Sequence, residues 1–253
     1  MSKADLLRLC VALWALIAAA APAAAVECGT RDHDGQSFTI CRVDAANEDL
    51  RLFLNDDSTG NPLASFDNID RMLGGSDARL AFGMNAGMYH TDRSPVGLYV
   101  EEGKTLAPVV TSAGPGNFGL LPNGILCIRN GRADVIETLR FTEDRPACRF
   151  ATQSGPMLVI DGALHPRFLP DSDSRYRRNG VGSSADGETL WFAISQAPVT
   201  FHQFATLFRD VLKTPQALYL DGNISRLYAP SIGRHDGGFP MGPMVGVVRR
   251  GAN

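Results

Sequence analysis

Nine short apolar runs, separated by closely spaced Gly, Asn, Asp and Pro residues, are the feature that most restricts the fold of this 253-residue chain. Runs of roughly four to eight residues bounded by turn formers are typical of strands. They do not alternate regularly with helical patterns, which argues against a doubly wound parallel fold. We therefore predict an α+β fold, a single domain with extensive mixed β-sheet and few helices. The runs lie at 37–43, 50–54, 80–84, 96–100, 124–128, 157–160, 190–194, 217–220 and 244–248.

Only two segments have a helical pattern. The stronger one begins at Thr200, where Gln203 completes a capping box and apolar residues recur at helical spacing as far as Leu212. The weaker one covers 65–73 and ends at the Gly74-Gly75 pair.

The first 25 residues have the pattern of a signal peptide. Lys3 and Arg8 precede an apolar run at 11–20, and the small residues Ala-Pro-Ala-Ala-Ala follow at 21–25. The run is shorter than the roughly 20 residues that a membrane-spanning helix needs, and no later run approaches that length. We therefore predict a signal peptide at 1–25, a mature domain at 26–253 without a membrane span, and a periplasmic or secreted protein.

The mature chain keeps an even number of cysteines and a small negative charge. Cys28, Cys41, Cys127 and Cys148 remain after residue 25, and an exported protein with four cysteines is expected to form two disulfides. Three pairings are open, and we favour Cys28 with Cys41 and Cys127 with Cys148. Two of the 24 basic and one of the 27 acidic residues lie in 1–25, which leaves a net charge near −4. This charge argues against a nucleic-acid partner.

Asp221 follows the apolar run 217–220 and precedes Gly222, so it stands at a strand end. Such positions are rigid, and catalytic or ligand-binding groups are commonly mounted on them. The alternative is an Asx-turn, in which the carboxylate accepts hydrogen bonds from its own main chain.

Other blocks of the chain also place polar residues beside glycine near strand ends. Ordinary turn chemistry explains each block alone. Together with Asp221-Gly222 and Ser225, they predict one cleft lined by Asn, Gln, Ser, Arg and Asp side chains. The residues concerned are Asn85 with Gly87, Asn117, Gln153 with Ser154, and Arg178 with Asn179.

Five of these blocks, in this order, resemble the phosphodiester glycosidase family. They are Met-Asn-Ala-Gly-Met-Tyr at 84–89, Pro-Val-Gly-Leu at 95–98, Gln-Ser-Gly-Pro-Met-Leu at 153–158, Arg-Asn-Gly-Val-Gly at 178–182 and Leu-Asp-Gly at 220–222. The resemblance covers residues 80–228 and is closest to a bacterial exported subgroup. It implies an enzyme that acts on a phosphodiester-linked carbohydrate, as the uncovering enzyme of this family does when it removes N-acetylglucosamine from a phosphodiester.

The chain departs from the family pattern at two places. Ala86 stands where many relatives have glycine, and Asn223 and Ile224 stand where they have two further glycines. The added side chains should narrow or repolarise the floor of the cleft, which predicts an altered sugar or aglycone.

The matched blocks supply one carboxylate, whereas glycosidases commonly use two. A phosphate monoester is a good leaving group because its second pKa is about 6, so it needs little protonation. We therefore predict Asp221, Arg178 and Asn85 as catalytic residues, with Arg178 clamping the phosphate while Asp221 activates water or stabilises positive charge at the anomeric carbon. The predicted substrate-binding residues are Gln153, Ser154, Asn117, Asn179, Gly87, Gly222, Ser225 and His90.

Two other functional classes stay open. One is a non-catalytic protein for glycan binding or exopolysaccharide assembly, and the other is a metal-dependent phosphodiesterase. The histidines, including His90 with nearby Asp92, have no zinc-binding spacing. We expect no cofactor, although Asp221, main-chain carbonyls and Asn side chains are also suitable ligands for a hard divalent cation such as calcium.

Overall fold

The computed structural model describes residues 26–221 and 224–250, so the predicted signal peptide at 1–25 lies outside the described residues. The α+β class is confirmed, with strand far more abundant than helix. The strands are β1 (Val26–His33), β2 (Gln36–Asp44), β3 (Asp49–Phe53), β4 (Ala78–Asn85), β5 (Tyr99–Glu101), β6 (Lys104–Ala107), β7 (Gly124–Arg129), β8 (Arg132–Glu137), β9 (Phe150–Ser154), β10 (Met157–Ile160), β11 (Ala163–Leu164), β12 (Asn179–Ser183), β13 (Thr189–Ser195), β14 (Gln216–Tyr219), β15 (Leu227–Ala229), β16 (Arg234–His235) and β17 (Met244–Arg250).

The helices of the described residues are short. They are α1 (Phe66–Gly74), α2 (Thr138–Asp144), α3 (Phe201–Thr206) with a π-helical continuation at Leu207–Val211, and a 3₁₀ turn at Pro230–Ile232. Both predicted helices are confirmed. The Ser65 side chain accepts a hydrogen bond from Asn68 N and caps α1, and Thr200 and Gln203 form the reciprocal capping box of α3. Helix α2 was not predicted.

The strands form three sheets. Their orders are β1-β2-β13-β12-β14-β10-β11, β16-β15-β4-β17-β3 and β6-β5-β9-β7-β8. The strand pairings within the described ranges are antiparallel, where the sequence pattern predicted a mixed sheet. Consecutive strands therefore pair through short turns, as in β1-β2 and β7-β8.

One hydrophobic cluster takes residues from all three sheets. Phe192 of the seven-stranded sheet and Phe82 of the second sheet meet with ring centroids 4.9 Å apart, and Leu126 of the third sheet belongs to the same cluster. Helix α3 and its π-helical continuation cover the other face of the seven-stranded sheet through Phe204 and Phe208. Burial of these apolar faces is the main stabilising contribution to the fold.

Both favoured disulfides are confirmed. Cys28 and Cys41 face each other across β1 and β2, and Cys127 of β7 joins Cys148, which lies just before β9. Disulfides of this kind are typical of proteins outside the reducing cytoplasm. Within the described ranges, no helix is long and apolar enough to cross a membrane.

Candidate active site

Asp221 lies two residues beyond the end of β14, where the first two sheets meet. Its main-chain N donates to the Ala86 carbonyl at 3.1 Å, and Ala86 follows the last residue of β4. Ala86 N donates in turn to the Pro243 carbonyl at 2.8 Å. The main chain of Asp221 is therefore tied to the end of β4, and only 8 % of the residue surface is exposed. This fixes the position of the acid before any ligand binds.

A buried group of side chains, which we call the amide frame, consists of Asn85, Asn179 and Ser225. Asn85 Nδ2 donates to Asn179 Oδ1 at 3.1 Å, and Asn179 Nδ2 donates to the Asp221 carbonyl at 3.0 Å and to Ser225 Oγ at 2.8 Å. Asn85 Oδ1 accepts from Arg226 N at 2.9 Å. The frame therefore connects β4, β12 and both ends of segment 221–226. Four predicted site residues, including Asp221, are brought together here.

Tyr89 is a neighbour of the Asp221 carboxylate. Burial raises the pKa of Tyr89 to about 12, and the charge of Asp221 and a side-chain hydrogen bond to it act in the same direction. Gly242 leaves room for the ring, because a Cβ there would lie 2.4 Å from Tyr89 Cγ. Arg93 lies over the ring, 5.3 Å from its centroid.

Arg226 is a second cationic neighbour of Tyr89, and the sequence pattern did not identify it. The residue is buried, and burial lowers the pKa of its guanidinium, whereas the charges of Tyr89 and Asp236 oppose that shift. A Cβ at Gly238 would lie 2.6 Å from Arg226 Nη2, so the glycine allows the loop to pack on the guanidinium. The main chain of Arg226 is bound to the amide frame, and this link could not be read from the sequence.

Arg178 is held differently, in an aromatic cage that we call the Arg178 box. Its guanidinium carbon lies 3.6 Å from the Phe201 ring centroid and 5.5 Å from those of Tyr176 and Tyr219. Nε donates to the Val199 carbonyl at 2.9 Å, and Nη2 donates to the Ser174 carbonyl at 3.1 Å.

The Arg178 residue is only 1 % exposed, and burial lowers its pKa. Nη1 has no hydrogen-bond partner within the part of the chain that the structure describes. Tyr219 connects the box to Asp221. Burial raises the pKa of Tyr219 to about 12, with Arg178 lowering and Asp221 raising it.

Gln153 uses its amide inside the protein. Its Oε1 accepts from Leu98 N and Val110 N, each at 3.0 Å, and its Nε2 donates to the Val110 carbonyl at 2.6 Å and to Thr138 Oγ1 at 3.2 Å. Both ends of the amide are thus engaged, and the side chain ties β9 to two loops. Ser154 is also buried, but its Oγ has no hydrogen-bond partner among the described residues.

The other predicted binding residues lie in loops or packing contacts. A Cβ at Gly87 would lie 2.4 Å from the Gln153 carbonyl, so this glycine allows close packing on β9. Asn117 is half-buried, and its carbonyl accepts from Leu120 N. His90 is exposed in a turn, where its N donates to the Ser94 carbonyl at 2.8 Å. Gly222 lies outside the described residues.

Within residues 26–221 and 224–250, no group of three or more His, Cys, Asp or Glu side chains is arranged to hold a metal ion.

Residues 78–247 match the family model described as phosphodiester glycosidase. The chain belongs to this family. The match spans the resemblance predicted over 80–228 and includes every block that carried it. The chain is also 33 % identical to the uncharacterized protein YigE of Escherichia coli over 176 residues, which are 70 % of this chain and 68 % of YigE.

Solved structures share the fold. The catalytic domain of zebrafish N-acetylglucosamine-1-phosphodiester α-N-acetylglucosaminidase, auto-inhibited by its pro-peptide, aligns with a TM-score of 0.62 at 13 % identity, covering 89 % of this chain and 82 % of that one. A hypothetical protein from Synechocystis aligns with a TM-score of 0.57 at 13 % identity, covering 89 % of this chain and 62 % of that one. At such identity the likeness concerns the fold.

Proposed function

We propose that this protein is an exported hydrolase that cleaves the glycosidic C–O bond of a sugar 1-phosphodiester, and that Asp221, Tyr89 and Arg226 form its reaction centre. Family membership supports the substrate class. The observation that carries the proposal is the position of the rigidly held Asp221 carboxylate beside the Tyr89 phenol, which itself lies in the field of Arg226. We name these three residues the reaction triad.

The leaving group decides what the reaction triad has to supply. When the C–O bond breaks, its electron pair goes to the phosphate oxygen, and the resulting monoester has a second pKa of about 6. Such a group leaves with little proton donation, so a cation that stabilises the developing charge can replace a general acid. The partly desolvated guanidinium of Arg226 is suited to this task because its fork matches two phosphate oxygens.

Asp221 acts on the sugar side of the same bond. Its carboxylate either stabilises positive charge at the anomeric carbon or accepts the proton of the attacking water, whose oxygen forms the new bond to that carbon. The Tyr89 hydroxyl, which lies 3.4 Å from the Pro240 carbonyl, donates to Asp221 in this proposal and fixes its orientation. With a pKa of about 12, this hydroxyl keeps its proton at neutral pH.

The remaining predicted residues take supporting roles in this proposal. Asn85 and Asn179 hold Asp221, Ser225 and the main chain of Arg226 in place through the amide frame. Gln153 braces β9, since its amide is engaged by the protein. Arg178, predicted from the sequence as the phosphate clamp, becomes a positioning residue because two of its nitrogens bind main-chain carbonyls. Ser154, Asn117, His90 and Gly222 stay predicted substrate contacts.

The test is hydrolysis of a chromogenic sugar 1-phosphodiester by the purified protein and by Asp221→Asn. We expect measurable turnover for the wild type and a loss of about 10²–10⁴-fold in Asp221→Asn, typical of removing an acid–base group. Asp210→Asn is the matched control, because Asp210 pairs with exposed Arg209 and is not in the reaction triad. Full activity in Asp221→Asn, with circular dichroism unchanged, would remove Asp221 from the mechanism.

The same assay separates the two alternative classes. A protein that binds the phosphodiester but never hydrolyses it belongs with the glycan-binding alternative. Turnover that disappears on chelation and returns with a divalent cation belongs with the metal-dependent alternative. Unchanged turnover in excess chelator supports the proposed hydrolase.

A further inference from the structure

An open groove lies next to the amide frame. It has a volume of about 570 Å³, which is in the range of small-molecule binding sites. Ser225 and Arg226 line it on the side of the frame, and Tyr176, Arg177, Asp236 and Phe239 line it further out. We call it the aromatic groove. Ser225 Oγ accepts from Asn179 Nδ2, whose other hydrogen bond holds the Asp221 carbonyl, so the groove continues directly from the reaction triad.

Two large aromatic side chains of this groove are turned to solvent. Tyr176 is 57 % exposed and Phe239 is 78 % exposed. Single exposed apolar side chains are common on protein surfaces and need no explanation. Two exposed aromatic side chains that line one groove beside a candidate reaction centre indicate a binding surface. The Tyr176 main chain is fixed by reciprocal hydrogen bonds with Val199, at 3.1 and 2.8 Å. Its ring is therefore presented by rigid backbone, as a stacking surface for a sugar ring requires.

The groove has a net cationic lining. Its carboxylate, Asp236, is already engaged, because Arg234 contacts it at 2.8 Å and Leu227 N donates to it at 3.0 Å. Arg177 donates through Nη2 to the Gln196 carbonyl at 2.8 Å, which restrains the side chain at the groove. A restrained guanidinium is suited to a carboxylate or phosphate because its remaining N–H groups are already oriented.

We infer that the aromatic groove binds an acidic sugar of the aglycone, with its ring against Tyr176 and Phe239 and its carboxylate or phosphate at Arg177. This inference rests on the proposed function, in which the reacting phosphate lies at Arg226. The substrate is then an acidic glycan whose next residue beyond the phosphodiester carries its own negative charge.

The kinetic test compares three sugar 1-phosphodiesters that differ only in the aglycone: a neutral hexose, a hexuronic acid and a hexose phosphate. We expect KM to be about tenfold lower for at least one acidic aglycone, as expected from one charge-assisted contact. Arg177→Gln should reduce that preference to about onefold, and Phe239→Ala should raise KM for the sugar aglycones. The control variants Arg209→Gln and Leu169→Ala lie on exposed positions outside the groove and should keep the wild-type preference.

Comparison of the hexuronic acid and hexose phosphate aglycones shows whether the groove prefers a carboxylate or a phosphate. Equal KM values for the three aglycones, or a preference that survives Arg177→Gln, would overturn the inference.

A binding measurement tests the inference about the groove independently of the proposed hydrolysis. Calorimetric titration of Asp221→Asn with a glucuronic acid disaccharide, a hexose 6-phosphate and a neutral disaccharide reports on the groove without turnover. Tighter acidic binding that Arg177→Gln abolishes supports the groove even if no hydrolysis is found, and equal affinities contradict it.

Discussion

The Arg178 box and the reaction triad each place a guanidinium near the end of β14, but the two guanidinium groups differ in what they contact. In the box, Arg178 stacks on Phe201, and its Nε and Nη2 each donate to a main-chain carbonyl of the fold, those of Val199 and Ser174. In the triad, Arg226 lines an open groove and shares the surroundings of Tyr89 with Asp221. A cation close to a candidate acid is therefore not enough to identify the phosphate clamp; what matters is where its donors point.

Changing each arginine to lysine is the strongest test of the different roles of Arg178 and Arg226. For Arg226→Lys we expect a loss of turnover of about 100-fold, because a point charge does not reproduce the fork, with a change of about 1 kcal/mol or less in the free energy of unfolding. For Arg178→Lys we expect a fall of about 2–3 kcal/mol in the free energy of unfolding, because the Val199 and Ser174 carbonyls each lose a hydrogen bond from the guanidinium and its stack on Phe201 is lost.

Steady-state kinetics and urea denaturation of both variants measure the two effects. Turnover of folded Arg178→Lys should stay within about tenfold of the wild type. The opposite pattern, with stable but inactive Arg178→Lys and active Arg226→Lys, would return the clamp to Arg178, as the sequence pattern predicted.

The amide frame supports the triad, and its central residue should be costly to remove. Asn179→Ala takes away the donor to the Asp221 carbonyl and Ser225 and the acceptor for Asn85, which should lower the free energy of unfolding by about 2 kcal/mol. Urea denaturation measures this change. Asn47→Ala is the control, since Asn47 bonds to Asp44 on the surface and should cost less than about 0.5 kcal/mol. Equal stability of the two variants would contradict a structural role for the frame.

Tyr89→Phe tests the phenol alone. The ring still packs at Gly242, so we expect a fall of about tenfold in kcat with little change in stability, the size of one lost hydrogen bond to a charged group. Because the pKa of Tyr89 is raised to about 12, the shape of the pH–rate profile below pH 10 should not change.

Tyr228→Phe is the matched control for that experiment. The Tyr228 hydroxyl also bonds a carboxylate, that of Asp70 at 2.8 Å, but it lies outside the reaction triad, so turnover should stay at the wild-type level. An alkaline limb below pH 10 that disappears in Tyr89→Phe would show that the phenol titrates during catalysis.

Substitution of Glu101 has the smallest expected effect. It should change the pH dependence of the free energy of unfolding without changing turnover. Burial, followed by the charge of Asp57, raises the pKa of Glu101 to about 7, well above the ordinary value of a glutamate side chain. The native state then binds this proton more tightly than the unfolded chain, so its contribution to stability is complete below pH 4.5 and is lost as the pH rises through 7.

Glu101→Gln should therefore be more stable than the wild type at pH 8 by about 1 kcal/mol, after allowance for solvent screening, and its turnover should not change. Urea denaturation at pH 5 and pH 8 measures the difference, with Glu143→Gln on exposed α2 as the control. A wild-type stability that rises from pH 5 to pH 8, while Glu101→Gln rises less, would contradict the sign of this effect.

The sequence was most informative where local patterns determine structure. All nine apolar runs overlap strands, although the run 96–100 shares only its last two residues with β5, and both capped helices begin where Ser65 and Thr200 predicted. Strand β12 was missed because its Asn-Gly-Val-Gly-Ser sequence lacks an apolar run. Its glycines are needed for packing, since a Cβ at Gly180 would lie 2.8 Å from the Leu218 carbonyl.

The candidate site was only partly predictable for a different reason. Asn85, Asn179, Asp221 and Ser225 were found because they lie in glycine-flanked blocks, and the fold joins those blocks. Gln153 carries the same pattern, yet its amide is engaged by Val110 and Leu98, residues that local sequence does not relate to it. Arg226 escaped notice because its link to Asn85 runs through main-chain N, which every residue other than proline has.

Hydrolysis in oxygen-18 water tests the central claim, cleavage of the sugar C–O bond at the reaction triad, most directly. Mass spectrometry of the two products shows which one carries the label. In the proposed reaction the oxygen of water attacks the anomeric carbon, so the label appears in the released sugar and the phosphate monoester stays unlabelled. Label in the phosphate, with an unlabelled sugar, would mean that the P–O bond breaks and would contradict the proposed roles of Asp221 and Arg226.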